Sequence, residues 1–305
     1  MSPRQLRAVA LGLAALLLLW FASELLSKRS DRITASLALA PVSEATTDRV
    51  TITRGADTAL LAKGTDTAWT VNGYAASRQA VTDLFAALRD STPAELAAES
   101  PGSFARLGVD SMGGRWIRVA GGGRTLVTLI TGQNGPAFGT VYVRKPGDTR
   151  VFLWRGRSLP GPTSRVDDWR DKRIAGVEPD TVRAFEIARG KERYALERRD
   201  RRWTIAGRGP ADSAAVTRLL EQYRRVAAVG FATAPQADSL RARRPSRRAT
   251  LRGTSGRVLV ALAFDSTAGG TWVYRADRPA GTVYRIEPWT VDQLTPAGQA
   301  LAPKR

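Results

Sequence analysis

The second half of this chain repeats the pattern of the first, and that constrains its fold more than any other feature. Ile52-Thr53-Arg54-Gly55 returns as Ile187-Ala188-Arg189-Gly190, with Ile187 standing 135 residues after Ile52. Trp69-Thr70-Val71 returns as Trp203-Thr204-Ile205, 134 residues on. The spaced apolar set Val81, Leu84, Phe85 and Leu88 returns as Val216, Leu219, Leu220 and Tyr223, again at 135. Val143-Arg144 then aligns with Tyr274-Arg275, and Val151-Phe152 with Val283-Tyr284, at 131 and 132. Order is kept, and the offset shrinks only where loops belong. Chance likeness among short β segments is the competing explanation, and collinear matches that include a tryptophan outweigh it. Self-similarity of this kind marks one supersecondary unit used more than once. A length of 305 residues is enough for two such units, each with its own core.

Each half reads alike. Period-two alternation predicts half-buried strands over Val50–Arg54, Ala59–Lys63 and Trp69–Asn72, and again over Ala184–Ala188, Arg193–Arg198 and Trp203–Ala206. An amphipathic helix follows in each half, over Ser77–Arg89 and Ser213–Ala227, with Ser77 and Asp212 or Ser213 as N-caps. Four more strands close each half: near Trp116–Ala120, Thr125–Thr131, Thr140–Arg144 and Arg150–Trp154, then near Ala249–Arg252, Val258–Phe264, Thr271–Arg275 and Thr282–Ile286. The turns between them (Gly121-Gly122-Gly123, Pro146-Gly147-Asp148, Gly253-Thr254-Ser255-Gly256) are short, so neighbouring strands run antiparallel. The expected fold is α+β, with an N-terminal transmembrane helix followed by two tandem copies of a module of antiparallel strands and one packed helix.

The segment ahead of the repeat has a different character. Arg4 and Arg7 precede an unbroken apolar run from Ala8 to Ala22, extended past Ser23 and Glu24 to Leu26. That is close to the roughly 20 residues a helix needs to cross the hydrocarbon core. Trp20 and Phe21 sit at its far end, where aromatic rings favour the interface. A cleaved signal peptide would want small residues where Trp20 and Phe21 stand, and the small-x-small triplet Ala38-Leu39-Ala40 lies far beyond the run. The expected organisation is therefore a signal anchor over 1–26, a polar stalk over 27–47, copy 1 over 48–174 and copy 2 over 175–301. Lys28, Arg29 and Arg32 follow the run as closely as Arg4 and Arg7 precede it. Orientation then rests on the short leading segment, which favours a single pass through the inner membrane with the bulk on the extracytoplasmic side.

Composition removes whole classes of chemistry. The chain has no cysteine and no histidine, which excludes disulfides, thiolate nucleophiles, Cys/His zinc sites and any imidazole shuttle. A lipoprotein anchor needs a cysteine and is excluded with them. A hydrophobic fraction of 43% and a charged fraction of 25% are those of a globular protein. The net charge is +19, and the excess is arginine, since lysine occurs only at 28, 63, 145, 172, 191 and 304. Such a surface attracts polyanions or anionic headgroups, and it also arises from arginine-favouring codon usage with no partner at all.

The order of features resembles the bacterial domain-of-unknown-function 4340 family. The resemblance lies in the Trp69 strand, the helix carrying Val81, Leu84 and Leu88, and the Phe104-Ala105-Arg106-Leu107-Gly108-Val109 stretch. It continues in the Tyr142-Val143 and Val151-Phe152 strands and the closing Trp169-Arg170-Asp171-Lys172-Arg173-Ile174. It covers residues 48–174 well and the second half more loosely. There Leu240-Arg241-Ala242-Arg243-Arg244 replaces the Leu-Gly-Val element and the Arg-Asp-Lys close is missing. The resemblance implies a membrane-anchored exported protein with an accessory role beside an ABC-type transporter of the gliding-motility-associated kind. It carries over no catalytic residues.

Four constellations remain. Gly121-Gly122-Gly123-Arg124-Thr125 lacks the Lys-Ser/Thr ending of a phosphate loop and sits between two strands, so it reads as a hairpin turn. Asp167, Asp168 and Asp171 are interleaved with Trp169, Arg170, Lys172 and Arg173, which favours structural ion pairs over a metal site or an acid–base pair. Arg170 and Asp171, with Trp69 and Trp203, are taken as structural markers of the repeat. The two tryptophans read as core residues covering the helices in preference to a carbohydrate platform. Arg241, Arg243, Arg244, Arg247, Arg248 and Arg252 form the densest basic cluster. It reads as a solvated loop or as a contact for anionic lipid or envelope polymer. Nucleic acid is not expected, because no aromatic residue is interleaved for stacking. The sequence thus points to a non-enzymatic, membrane-tethered envelope protein, an accessory or scaffold of a transport or motility-type complex. The alternative is a binding module for anionic headgroups or polymers through the second half, with a carboxylate hydrolase a distant third. No cofactor or metal is expected.

Overall fold

The structure is a computed structural model and describes residues 37, 39–40, 42–89, 94–155, 159–160, 164–200, 202–278 and 280–303. The expected anchor over 1–26 and most of the stalk lie outside them. Among the described residues no helix is long and apolar enough to cross a membrane. The chain is α+β, with antiparallel sheets and few helices, and it divides into two compact units between Arg170 and Asp171.

The first unit carries β1 (Arg49–Arg54), β2 (Asp57–Lys63), β3 (Trp69–Val71), β4 (Tyr74–Ala75), α1 (Arg78–Arg89) and β5 (Glu95–Ala98). The one-turn helix α2 (Phe104–Leu107) follows, then β6 (Arg115–Gly121), β7 (Arg124–Asn134), β8 (Val141–Arg144) and β9 (Val151–Trp154). The nine strands lie in the order β4-β3-β2-β1-β6-β7-β8-β9-β5. Alternation decides which side of each strand is buried. In β1, Val50 and Ile52 face inward while Arg49, Thr51 and Thr53 do not. Inward residues of the sheet pack with Val81, Leu84, Phe85 and Leu88 of α1, the expected apolar face of that helix. Ser77 caps α1, its hydroxyl accepting the Ala80 N–H at 3.2 Å. Gly122 and Gly123 both have positive φ (57° and 75°), the primed turn that a two-residue hairpin between β6 and β7 requires. On the opposite face of the sheet Leu107 and Val109 pack on Ile130 and Val151.

The second unit begins with β10 (Arg173–Ala175), then β11 (Ala184–Arg189), β12 (Glu192–Arg199), β13 (Arg202–Ile205), β14 (Gly209–Pro210) and α3 (Ser213–Arg224). After β15 (Val226–Ala227) and β16 (Gly230–Phe231) come α4 (Ala234–Ala242), β17 (Arg247–Arg252), β18 (Val258–Thr267), β19 (Gly270–Arg275), β20 (Val283–Ile286) and α5 (Pro288–Leu294). The sheet order is β14-β13-β12-β11-β17-β18-β19-β20-β16, which by rank is the order of the first sheet. Val216, Leu219, Leu220 and Tyr223 of α3 pack on one face, and Ala237 and Leu240 of α4 pack with Trp272 and Val283 on the other. Asp212 is the N-cap of α3, accepting the N–H groups of Ala214 (2.9 Å) and Ala215 (3.1 Å).

One expectation needs correction. The helix expected to reach Ala227 stops at Arg224, because Arg225 leaves the helical region (φ −148°, ψ 85°) and Val226–Ala227 pairs with β10 instead. The two compact units meet at Arg170 and Asp171, and β10 pairs with β15 within the second. The closing Arg-Asp-Lys sequence is absent from the second half, yet its structural place is filled. A 3-10 turn over Val166–Trp169 ends with the Trp169 carbonyl accepting the Ser77 N–H (2.7 Å). A 3-10 turn over Gly298–Leu301 ends with the Leu301 carbonyl accepting the Asp212 N–H (2.8 Å).

Candidate functional site: an arginine-faced groove on the second unit

Phe185 and Ile187 of β11 point into the core, so Glu186 and Ala188 occupy the other face of the sheet. Antiparallel register puts Ala188 opposite Arg193 of β12 on one side and Arg248 of β17 on the other. Directly opposed residues share a face, so an arginine, an alanine and an arginine form one row across three strands. Ala195 and Ala206 continue the low floor, and Arg244 enters from the loop between α4 and β17, giving an open groove of about 780 Å³. Next to Arg193 in β12, Tyr194 faces the core instead, its ring buried and its hydroxyl donating to the Pro296 carbonyl (2.6 Å). Burial, with the Glu192 carboxylate nearby, pushes this phenol above its ordinary value, so it stays a neutral donor.

The structure sorts the six arginines expected as a cluster. The expected solvated loop is confined to 243–246, which carries Arg243 and Arg244; Arg241 is in α4, and Arg247, Arg248 and Arg252 are in β17. Four are committed to internal partners. Arg241 pairs with Asp238 (3.2 Å) and donates to the Gly281 carbonyl. The Arg243 guanidinium is 3.5 Å from the buried Asp265. Arg247 binds Asp292 (2.6 Å) and the Thr295 hydroxyl (3.1 Å). Arg252 binds Glu186 (2.9 Å) and the Gly256 carbonyl (3.2 Å). Arg244 and Arg248 are exposed and belong to none of the ion pairs among the described residues. Arg193, outside the linear cluster, is exposed and lines the same groove. The signal for Arg193 was present: strands ending at Ala188 and starting at Arg193 across Gly190 must pair those two residues.

The other marked residues make contacts within their own units. Trp69 and Trp203 are both buried in the cores. Trp69 lies 5.6 Å from Phe85 and its indole N–H donates to the Glu44 carboxylate (2.9 Å). Arg170 is buried, stacks over Tyr74 at 3.9 Å and pairs with Asp167 (3.5 Å). Asp168 accepts the Arg165 N–H, and Asp171 the Arg173 N–H, each at 2.9 Å. Among the described residues no three acidic side chains are grouped to hold a metal ion. The triglycine turn is a hairpin whose Gly122 N–H donates to the chain's own Asp48 carboxylate (3.0 Å).

A family model described as a domain of unknown function (DUF4340) matches residues 69–245, more than half of the chain. The chain belongs to this family. The match runs from the buried Trp69 through the closing turn of the first unit and across β11 to β16, and it ends at Pro245. It therefore includes Arg193 and Arg244 and stops three residues before Arg248. No curated protein and no solved structure matches the chain.

Proposed function

We propose that the protein is a non-enzymatic envelope component built from two diverged copies of one module, held to the inner membrane by its N-terminal apolar segment, with the bulk on the extracytoplasmic side. In this reading the second copy binds anionic groups of lipid headgroups or envelope polymers. The observation that carries it is a comparison of matching rows. Arg193–Ala188–Arg248 of the second sheet corresponds, strand for strand, to Thr58–Thr53–Trp116 of the first. The same scaffold position is cationic in one unit and uncharged in the other. Binding is favoured over catalysis because Glu186, the one carboxylate lining the groove among the described residues, is already engaged by Arg252.

An accessory or scaffold role in an ABC-type transport or motility-type complex has separate support in the first unit. There the exposed Met112 lines a shallow groove with Thr53, Ser111 and Trp116, which is where a protein partner would be sought. Fractionation and co-purification from detergent-solubilised membranes test both parts. The expected result is a membrane-bound protein with salt-sensitive retention on anionic vesicles and a co-purifying transporter. Recovery as soluble cytoplasmic material would overturn the tether, and retention independent of salt would overturn the anionic ligand.

A further inference from the structure

Arg193, Arg244 and Arg248, which belong to no ion pair among the described residues, line one groove. Arg193 and Arg248 are the two cross-strand neighbours of Ala188. Strands lie about 4.8 Å apart, so the two Cα atoms are on the order of 10 Å apart, within the combined reach of two arginine side chains leaning over a methyl group. Arg244 lines the same groove from the α4–β17 loop. Farther along the same face the charge is balanced by acids: Glu186 is paired with Arg252 (2.9 Å) and Glu197 with Arg199 (3.0 Å). A polyanion laid along the strands would run onto those carboxylates, whereas one compact oxyanion over Ala188 would not.

Ligand chemistry follows from donor count. Three guanidinium forks present more N–H groups than the two oxygens of a carboxylate can accept, and a terminal phosphoryl group offers three oxygens and up to two negative charges. We infer that Arg193, Arg244 and Arg248 form a site for a single terminal phosphoryl group. This rests on the anion-binding reading above and narrows its ligand. The first unit is the internal contrast, since Thr58, Thr53 and Trp116 at the matching positions supply no cation.

The test uses the full-length protein in phosphatidylcholine nanodiscs at constant ionic strength, titrated with inorganic phosphate by calorimetry. Saturable binding is expected, weakened at least tenfold in Arg193→Ala/Arg248→Ala. Binding in Arg248→Lys should be intermediate, because charge remains and the fork is lost. Arg257→Ala removes an equal charge from an exposed position elsewhere on the unit and should bind as the parent does. Phosphatidic acid vesicles bound in preference to phosphatidylglycerol vesicles, and released by inorganic phosphate, would support a headgroup as the source. Phosphate binding with no such preference would support a soluble or polymer-borne phosphoryl group. Equal loss in Arg257→Ala, or no loss in the double variant, overturns the site. Salt-sensitive retention on polyglutamate with no response to phosphate would overturn the phosphoryl assignment while leaving anion binding intact, and loss of both would sink the broader reading too.

Discussion

The hydroxyl of Tyr223 is where α3 holds the C-terminal segment, and removing it has a calculable consequence. Tyr223 is wholly buried, meets Phe185 edge-on (centroids 5.3 Å apart, planes at 78°), and donates to the Leu294 carbonyl at 2.6 Å. Leu294 ends α5, where carbonyls have no partner within the helix. Tyr223→Phe keeps the ring contact and takes away that donor. A buried carbonyl left in this state costs about 1–3 kcal/mol, and a unit of this size shifts its midpoint by roughly 3–5 °C per kcal/mol. Burial also raises the Tyr223 pKa well above the ordinary value. A group raised in the folded state gives its full stabilisation below its unfolded pKa of about 10 and loses it as pH rises beyond that. The parent should therefore weaken above about pH 10, and Tyr223→Phe should weaken less steeply there. Amide exchange read by mass spectrometry over α5 and residues 294–301, with urea unfolding of the full chain, measures both effects. Unchanged exchange and midpoint in Tyr223→Phe, alongside a destabilised Tyr223→Ala, would refute the claim that this hydrogen bond holds the segment.

Trp203→Ala should cost about 3–5 kcal/mol by urea unfolding, because the indole is buried in the core that includes Val216, Leu219 and Leu220. Gly132→Ala should destabilise the first unit by roughly 1–3 kcal/mol. Its new methyl would lie 2.2 Å from the Leu107 carbonyl oxygen and 2.7 Å from Val109 Cγ1, so faster amide exchange over 104–109 is the readout. The Asp148 carboxyl is drawn down to about 2 by the Arg150 side chain and backbone N–H. Its stabilisation is present above the unfolded value of about 4 and is lost as pH falls toward 2. Asp148→Asn should flatten that part of the acid unfolding curve.

Strands and the faces of the main helices were legible because each is written in local alternation. Every strand expected from period two or from its turns lies within three residues of an observed one. What escaped was short or relational. β4, β14 and β16 have two residues each, too few to show a period. The helix α4 was signalled by Thr233 and Gln236, whose side chain accepts the Thr233 N–H (3.0 Å), but Arg241 in its last turn merges in sequence with the basic run that follows. The groove was half legible. A linear cluster gathers Arg241 through Arg252, but only cross-strand register separates Arg244 and Arg248 from their paired neighbours and brings in Arg193 from 51 positions before Arg244.

The two matching rows also say how such a site can change without disturbing the fold. Side chains alternate between faces, so the residues that fill the cores, Ile52 and Ile187 among them, are independent of Thr53 and Ala188 beside them. In the first unit the position opposite Thr53 is Trp116, which joins the apolar cluster of Phe104, Leu107 and Ile130. In the second, Arg248 is exposed, and the short helix ends in a loop that delivers Arg244. Arg248→Trp should therefore leave urea stability within about 0.5 kcal/mol of the parent, as exposed substitutions usually do, while weakening phosphate binding at least tenfold. A large loss of stability would mean that Arg248 supports the sheet. Unaltered binding with unaltered stability would mean that the row across Ala188 does not recognise the anion.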